Sequence, residues 1–301
     1  MAERLAPGLR RVLAPNPGPL TGAGTNSYIL GEGEVAVIDP GPDDPAHLAA
    51  LEAALAPGER IGHVLVTHAH RDHAPLARAL AARWGAPVLA FGDATAGRNP
   101  AFAALADLGG GEGVDEGFAP DIRLADGATV EGAGWRLTAL WTPGHMGNHL
   151  CLLWGDAAFS GDHVMGWATT VVSPPDGDMA AYMASLDRLA SAAARVLYPG
   201  HGAPVTDPAA RISELRAHRR AREAAILARL GPEPQDIPGL TRAVYTDIAP
   251  GLLPAAERNV LAHLLDLCAR GEARCVGAAG PGPSARFRRA EKGGGRGLDA
   301  V

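Results

Sequence analysis

Lysine is almost missing: of 27 basic residues only Lys292 is not an arginine. With alanine and glycine abundant, that skew reads as a bias of the coding genome and carries no function of its own. Cysteine is scarce too. Cys151, Cys268 and Cys275 are odd in number, widely spaced and set among apolar neighbours. That pattern excludes a disulfide framework and a cysteine-built zinc site, and it suits buried thiols in a reducing compartment. No segment approaches the length of a membrane span and the N-terminus has no sustained apolar stretch, so a soluble, cytoplasmic protein is expected.

What is present is a chain of 301 residues, 47% hydrophobic, long enough for one large domain and one small one. Its net charge of −6 is unevenly spread: residues 1–210 carry 12 basic and 23 acidic side chains, residues 211–301 carry 15 and 10. A basic excess of this size in the smaller part is compatible with a polyanionic partner without requiring one.

Strands outnumber helices in the first two thirds. The apolar runs at 27–30 and 35–38, separated by Gly31-Glu32-Gly33-Glu34, read as a hairpin. Asp44-Pro45 then offers an N-cap and a first-turn proline to a helix that stops near Pro57-Gly58. A buried strand is expected at 63–67, a helix at 76–84 and a strand at 88–90. Residues 109–113 form a glycine-rich stretch without the lysine and helix of a phosphate loop, and read as an ordinary flexible loop. Further strands are expected at 129–130, 136–141, 149–154 and 157–160. Such hairpins suggest two packed mixed sheets with helices outside, an α+β fold and not a doubly wound parallel sheet.

At Asp207-Pro208 the character changes to an arginine-rich helix reaching Leu230. A short helix at 241–248, a turn at Pro250-Gly251, a helix at 254–270 and a strand at 274–276 give the order of a small winged helix. The expected domains are thus 1–207, 208–276 and, where Gly, Pro and Arg dominate, a disordered tail at 277–301.

The chemistry is concentrated where the strand at 63–67 ends. Thr67-His68-Ala69-His70-Arg71-Asp72-His73 sets three imidazoles and a carboxylate within six residues, which no packing requirement explains. Alternation puts His68 and His70 on one side, and the following turn lets Asp72 and His73 face a second point. Three single residues follow later strands: His145 in Thr142-Pro143-Gly144-His145, Asp162 in Ser160-Gly161-Asp162, and His201 in Pro199-Gly200-His201-Gly202. Together these seven supply the number of ligands that two metal ions need. Imidazole and carboxylate donors suit zinc, and iron or manganese would accept them as well. Asp39, at the end of its strand, is placed to orient a ligand histidine or the motif turn. His149 and His163 have the wrong strand phase for coordination and are expected to pack or to hydrogen-bond on the substrate side. Residues 167–172 are a candidate wall of the substrate pocket.

The H-x-H-x-D-H motif with the later Thr-Pro-Gly-His, Gly-Asp and Pro-Gly-His-Gly elements resembles the metallo-β-lactamase superfamily over roughly residues 10–206. The resemblance implies a four-layer αββα sandwich. It also implies that His68, His70 and His145 hold one metal, that Asp72, His73 and His201 hold the other, and that Asp162 bridges, with Asp72 and Asp162 taking part in catalysis. Zinc β-lactamases typically place cysteine or serine where this chain has Asp162 or His73, which argues against antibiotic hydrolysis. Only 71 residues separate His73 from His145 and 38 separate Asp162 from His201, leaving no room for a large inserted RNA-processing domain.

Gly24-Thr25-Asn26-Ser27-Tyr28, Asn148-His149-Leu150, the segment 218–223 and the C-terminal winged helix are similar to lactamase-beta-2-like proteins, a glyoxalase II-related subgroup. That subgroup implies a di-zinc hydrolase with a hydroxide shared between two metals. The expected activity is endoribonuclease or phosphodiesterase action on single-stranded RNA. The alternative is thioester or ester hydrolysis of the glyoxalase II type. A nucleic-acid-binding regulator with structural metals is a third reading, which fits poorly because structural zinc sites are normally closed by four ligands. In the RNA reading Arg216, Arg219, Arg220 and Arg222 of the linking helix would guide a phosphate backbone.

Overall fold

Apolar side chains alternate along the strands and set the architecture. The computed structural model describes residues 2–108, 113–277 and 282–291. The chain divides into two compact units, Met1–Arg216 and Ala217–Val301.

In the first unit the chain runs β1 (Glu3–Ala6), β2 (Leu9–Leu13), β3 (Asn26–Leu30), β4 (Glu34–Ile38), α1 (Pro45–Ala53), β5 (Arg60–Leu65), α2 (Leu76–Trp84), β6 (Val88–Ala90) and β7 (Ile122–Arg123). These strands form one sheet in sequence order, antiparallel from β1 to β4 and parallel from β4 to β7. The second sheet, ordered β12-β11-β10-β9-β8, comes from β8 (Thr129–Gly132), β9 (Trp135–Trp141), β10 (Leu150–Trp154), β11 (Ala157–Gly161) and, after α3 (Met179–Ser191), β12 (Val196–Pro199).

The period of two divides each strand between two cores. Ile29, Val35 and Val37 join Leu51 of α1 and Leu80 of α2 on the outer face of the first sheet. Tyr28, Leu30 and Ile38 point the other way, where they meet Leu137, Leu152 and Phe159 of the second sheet. Tyr28 and Phe159 pack edge to face, with ring centroids 5.1 Å apart. The sequence-based expectation of two packed mixed sheets with outer helices therefore holds. At α1, Asp44 accepts from the backbone N–H groups of Ala46 at 2.7 Å and His47 at 3.0 Å, a cap worth about 1 kcal/mol.

Two consequences of the topology place the site. Parallel strands end at a common edge, so β4 and β5 deliver their C-terminal loops side by side, and so do β11 and β12, which are also parallel. Ligands gather outside such strand ends because the loops there are free to converge.

The helix α4 (Pro208–Arg229) contains the division between the units. The second unit continues with β13 (Gln235–Asp236), α5 (Ile237–Val244), α6 (Leu253–Ala269), β14 (Ala273–Val276) and β15 (Arg286–Arg289), the three strands forming one antiparallel sheet ordered β13-β15-β14. The helix expected at 241–248 begins earlier because Asp236 caps it, accepting from Gly239 N–H at 2.7 Å, and Pro238 sits in its first turn. The composition of 277–301 points to disorder, yet β15 lies within it: Phe287 is fully buried and anchors an otherwise arginine-rich strand. The remainder of that tail, 278–281 and 292–301, lies outside the described residues, as do 109–112 of the glycine-rich loop.

The arginines of α4 also differ from expectation. Arg219 is 1% exposed and donates to Asn259 Oδ1 at 3.0 Å. Arg222 donates to the Val244 carbonyl at 2.6 Å and lies 4.4 Å from the Tyr245 ring centroid. Arg216 pairs with Asp187. Of the four arginines offered to a phosphate backbone, Arg220 alone is exposed. Helical spacing gives the face of a residue but not what packs against it. Among the described residues no helix is long and apolar enough to cross a membrane.

Candidate metal centre

All seven residues singled out by spacing meet at the strand ends. Their ligand-capable atoms fall into three groups, each within 4.8 Å: His68 with His70 and His145, Asp72 with His73 and His201, and His68 with His73 and Asp162. His70 Nδ1 lies 3.0 Å from His145 Nε2. On the other side His201 Nε2 is 3.2 Å from Asp72 Oδ2 and 3.4 Å from His73 Nε2. Asp162 reaches both sides, with Oδ2 3.3 Å from His201 Nε2 and 3.9 Å from His145 Nε2.

The outer nitrogens of these imidazoles are tied down. His145 Nδ1 faces the Val171 carbonyl at 2.7 Å, His201 Nδ1 the Gly24 carbonyl at 3.1 Å, and His73 Nδ1 the Asp39 carboxylate at 2.9 Å. Carbonyl and carboxylate oxygens only accept, so each ring carries its proton on Nδ1 when neutral and turns the lone pair of Nε2 inward. His68 Nε2 is buried with no hydrogen-bond partner. A buried polar atom left alone is costly, and inward lone pairs that converge without donors are what a cation requires. The donor set thus fits metal ions.

Charge supports the same reading. Burial, reinforced by the neighbouring histidines, pushes His68 well below its usual range, and burial takes His70 down to about 3. For His73 and His201 burial acts in that direction too, but the carboxylates outweigh it: Asp72, Asp162 and Asp39 raise His73, and Asp162 and Asp72 raise His201 to about 10. Burial alone would raise Asp72 and Asp162, yet both are held well below the usual carboxylate range by His73 and His201. This half of the site favours positive charge, whether proton or metal ion.

Local geometry explains the flanking glycine of Pro199-Gly200-His201. A Cβ at Gly200 would stand 2.3 Å from Asp162 Oδ1 and 2.6 Å from His73 Cε1, so only glycine lets the backbone pass. His149 and His163 are fully buried and join none of the three groups. His149 bonds Thr142 Oγ1 at 2.9 Å, and His163 packs on Tyr182, in line with packing, the first of the two alternatives expected for them.

Sequence reasoning gave no ligand-positioning role to Asn26 or Thr170, which support the centre. Asn26 donates to the carbonyls of Pro199 and Gly202, both at 2.9 Å, and so clamps the His201 loop. Thr170 Oγ1 lies 2.9 Å from His145 Nδ1. Asn26 gave no local signal, since Ser27 beside it is polar too and its partner Pro199 lies 173 residues away.

A cavity of about 250 Å³ opens onto the centre, with His70, Asp72, Asp162 and His201 at its floor and Leu20, Met165, Trp167 and Val171 among its walls. Residues 167–171 of the expected wall at 167–172 line it, and Val172 does not. A larger hollow of about 530 Å³ lies beside Arg4, Arg10 and Glu59 and contains none of the seven residues. Its Arg10 is already consumed by Glu59, at 2.7 and 3.0 Å, and by the Ala54 carbonyl, which leaves it little to offer a ligand.

Comparison with known proteins agrees with this geometry. A family profile described as the metallo-beta-lactamase superfamily matches residues 20–201, and one described as the beta-lactamase associated winged helix domain matches residues 237–280. A beta-lactamase-like protein 2 homolog of Caenorhabditis elegans is 32% identical over 276 residues, covering 89% of this chain and 87% of that protein. An atrochrysone carboxyl ACP thioesterase of Aspergillus fumigatus is 33% identical over 234 residues, covering 75% of this chain and 66% of that one. The crystal structure of a metallo-beta-lactamase family protein from Thermus thermophilus superposes with a TM-score of 0.75 at 29% identity, over 95% of this chain and all of the other.

Proposed function

This chain belongs to the metallo-beta-lactamase superfamily of hydrolases, and on that premise we propose that it hydrolyses an acyl thioester or ester at a centre of two divalent ions, zinc being the ion the donors suit best. His68, His70 and His145 would hold one ion, Asp72, His73 and His201 the second, with Asp162 between them. The observation that carries the reading is the pairing of two three-residue donor groups, linked by Asp162, under a cavity with apolar walls. Iron and manganese accept the same donors.

Ions bound there would supply an ionised water at neutral pH and positive charge for the substrate oxygen. The protein's own part is to hold that arrangement rigid. Asp39 fixes His73, the Val171 carbonyl and Thr170 fix His145, and Gly24 and Asn26 fix His201 and its loop. Asp72 and Asp162 keep the floor negative, and Leu20, Met165, Trp167 and Val171 give an acyl group an apolar surface.

The thioester reading is preferred over cleavage of single-stranded RNA for two reasons. A relative is named as a thioesterase, and three of the four arginines that favoured a phosphate backbone are committed within the protein, Arg216 to Asp187, Arg219 to Asn259 and Arg222 to the Val244 carbonyl. The winged helix is proposed to select the substrate without contributing a catalytic group, since every donor precedes it. A reducing cytoplasm suits the three free thiols. Metal-loaded protein assayed on an acyl thioester, S-lactoylglutathione, a lactone and an RNA oligonucleotide should turn over the thioester and leave RNA intact. RNA cleavage with no ester or thioester turnover would overturn the proposal.

A further inference from the structure

The cavity over the centre is unevenly furnished. Its polar floor is formed by the proposed ligands, its walls are mainly apolar, and among its lining residues Arg71 is the one arginine or lysine. Arg71 lies between His70 and Asp72 in sequence, yet its side chain is exposed, in contrast to its buried neighbours His70 and His73. Its Nε donates to the Val114 carbonyl at 3.1 Å and its backbone N–H to the Gly113 carbonyl at 3.0 Å. Among the described residues neither Nη has a hydrogen-bond or carboxylate partner. The other arginines nearest in sequence differ: Arg60 is paired with Glu34, and Arg78 with Asp121 at 2.7 Å. One bond at Nε fixes the guanidinium plane while, among the described residues, its outer N–H groups stay free, the arrangement in which arginine binds a carboxylate or phosphate in bidentate fashion.

Trp167 supplies the apolar counterpart. It is 47% exposed, unusual for so large a ring, and lies against Gly202, where a Cβ would stand 2.6 Å from the indole Cδ1. Glycine at 202, directly after His201, therefore lets the ring lie close to the centre. Leu20, also exposed at 38%, lines the same cavity. A large apolar side chain kept open to solvent beside a catalytic floor is expected to bind an apolar group.

We infer that the substrate is an anionic acyl thioester, its acyl chain lying on Trp167 and Leu20 and its anion held by Arg71. The inference rests on the hydrolase reading above and adds the substrate's charge. The anion has two possible positions, a carboxylate at the far end of the acyl group or a phosphate on the thiol side, and both present oxygens to the same guanidinium.

Three thioesters separate these cases: glutaryl and butyryl thioesters of N-acetylcysteamine, which differ in the terminal carboxylate, and the butyryl thioester of 4′-phosphopantetheine, which moves the charge to the thiol. The wild-type protein should prefer one of the two anionic substrates over butyryl-N-acetylcysteamine by at least about tenfold in kcat/KM. Arg71→Gln should reduce that preference about tenfold, mainly through KM, as expected for one charge-assisted contact. A readout independent of turnover is the quenching of tryptophan fluorescence by glutarate or by 4′-phosphopantetheine, which should need about tenfold more ligand in the R71Q protein. Trp167→Ala should weaken octanoyl over butyryl preference. Turnover of all three thioesters with equal efficiency, unchanged by R71Q, would overturn the inference and leave the hydrolase reading standing. Turnover of none would instead count against that reading.

Discussion

Asp39 holds the turn that carries the proposed metal ligands to the sheet through His73. Its Oδ2 lies 2.9 Å from His73 Nδ1 and accepts from Thr67 Oγ1 at 2.8 Å, while Oδ1 accepts from the Thr67 backbone N–H at 2.7 Å. To do so Asp39 adopts a positive φ of 50°, a left-handed conformation that, besides glycine, aspartate and asparagine tolerate best. Asp39→Asn should therefore weaken metal binding roughly 10–100-fold, the usual effect of losing the partner of a ligand histidine. Competition with a chromophoric chelator reads this directly, and an affinity within twofold of wild type would remove Asp39 from the account.

Arg219 should be a folding residue and not a substrate guide. It is buried against Asn259 in the second unit. Arg219→Ala removes that hydrogen bond and leaves a cavity, and should cost roughly 2–4 kcal/mol in denaturant unfolding. Arg220→Ala, at an exposed position, should stay within about 0.5 kcal/mol. Similar costs for the two would contradict the burial.

His263 should make the protein acid-sensitive. Burial, helped by the charge of Arg219, lowers it to about 3, below the 6.5 expected of an unfolded chain. Between those values the unfolded state binds the proton and the folded state does not. The resulting stability is complete above pH 6.5 and is lost as pH falls towards 3, amounting to at most about 5 kcal/mol. His263→Phe should flatten the pH dependence of stability in that window relative to wild type. Parallel curves for the two proteins would show that His263 contributes nothing.

The thiols should be dispensable for turnover. Cys151 is buried beside Thr142, and burial pushes it up to about 12, so it is neither a nucleophile nor a ligand at neutral pH. Replacing Cys151, Cys268 and Cys275 by alanine should leave kcat/KM within a few-fold. A loss of a hundredfold or more would assign a thiol to the mechanism.

The centre was legible before the fold because its chemistry is local in sequence. His68, His70, Asp72 and His73 lie on one strand end, and His145, Asp162 and His201 each follow a strand with a glycine at the turn. What stayed hidden was long-range. Nothing around Asn26 indicates that it clamps the His201 loop, and the spacing of Arg219 on α4 is the same whether that face meets solvent or α6. β1 and β2 escaped notice because Arg4, Arg10 and Arg11 interrupt any apolar alternation, although Leu9 and Val12 are buried. β15 was masked by surrounding glycine, proline and arginine, with Phe287 as its single apolar anchor.

Metal content is the most direct test of the proposed two-ion centre. Protein loaded with zinc and freed of excess should carry close to two ions per chain by elemental analysis. His145→Ala and His201→Ala, from opposite halves, should each fall towards one while circular dichroism stays unchanged, and both should lose hydrolysis, as should wild type in a strong chelator. One ion or none in the wild-type protein, with full hydrolysis retained in the chelator, would contradict the account.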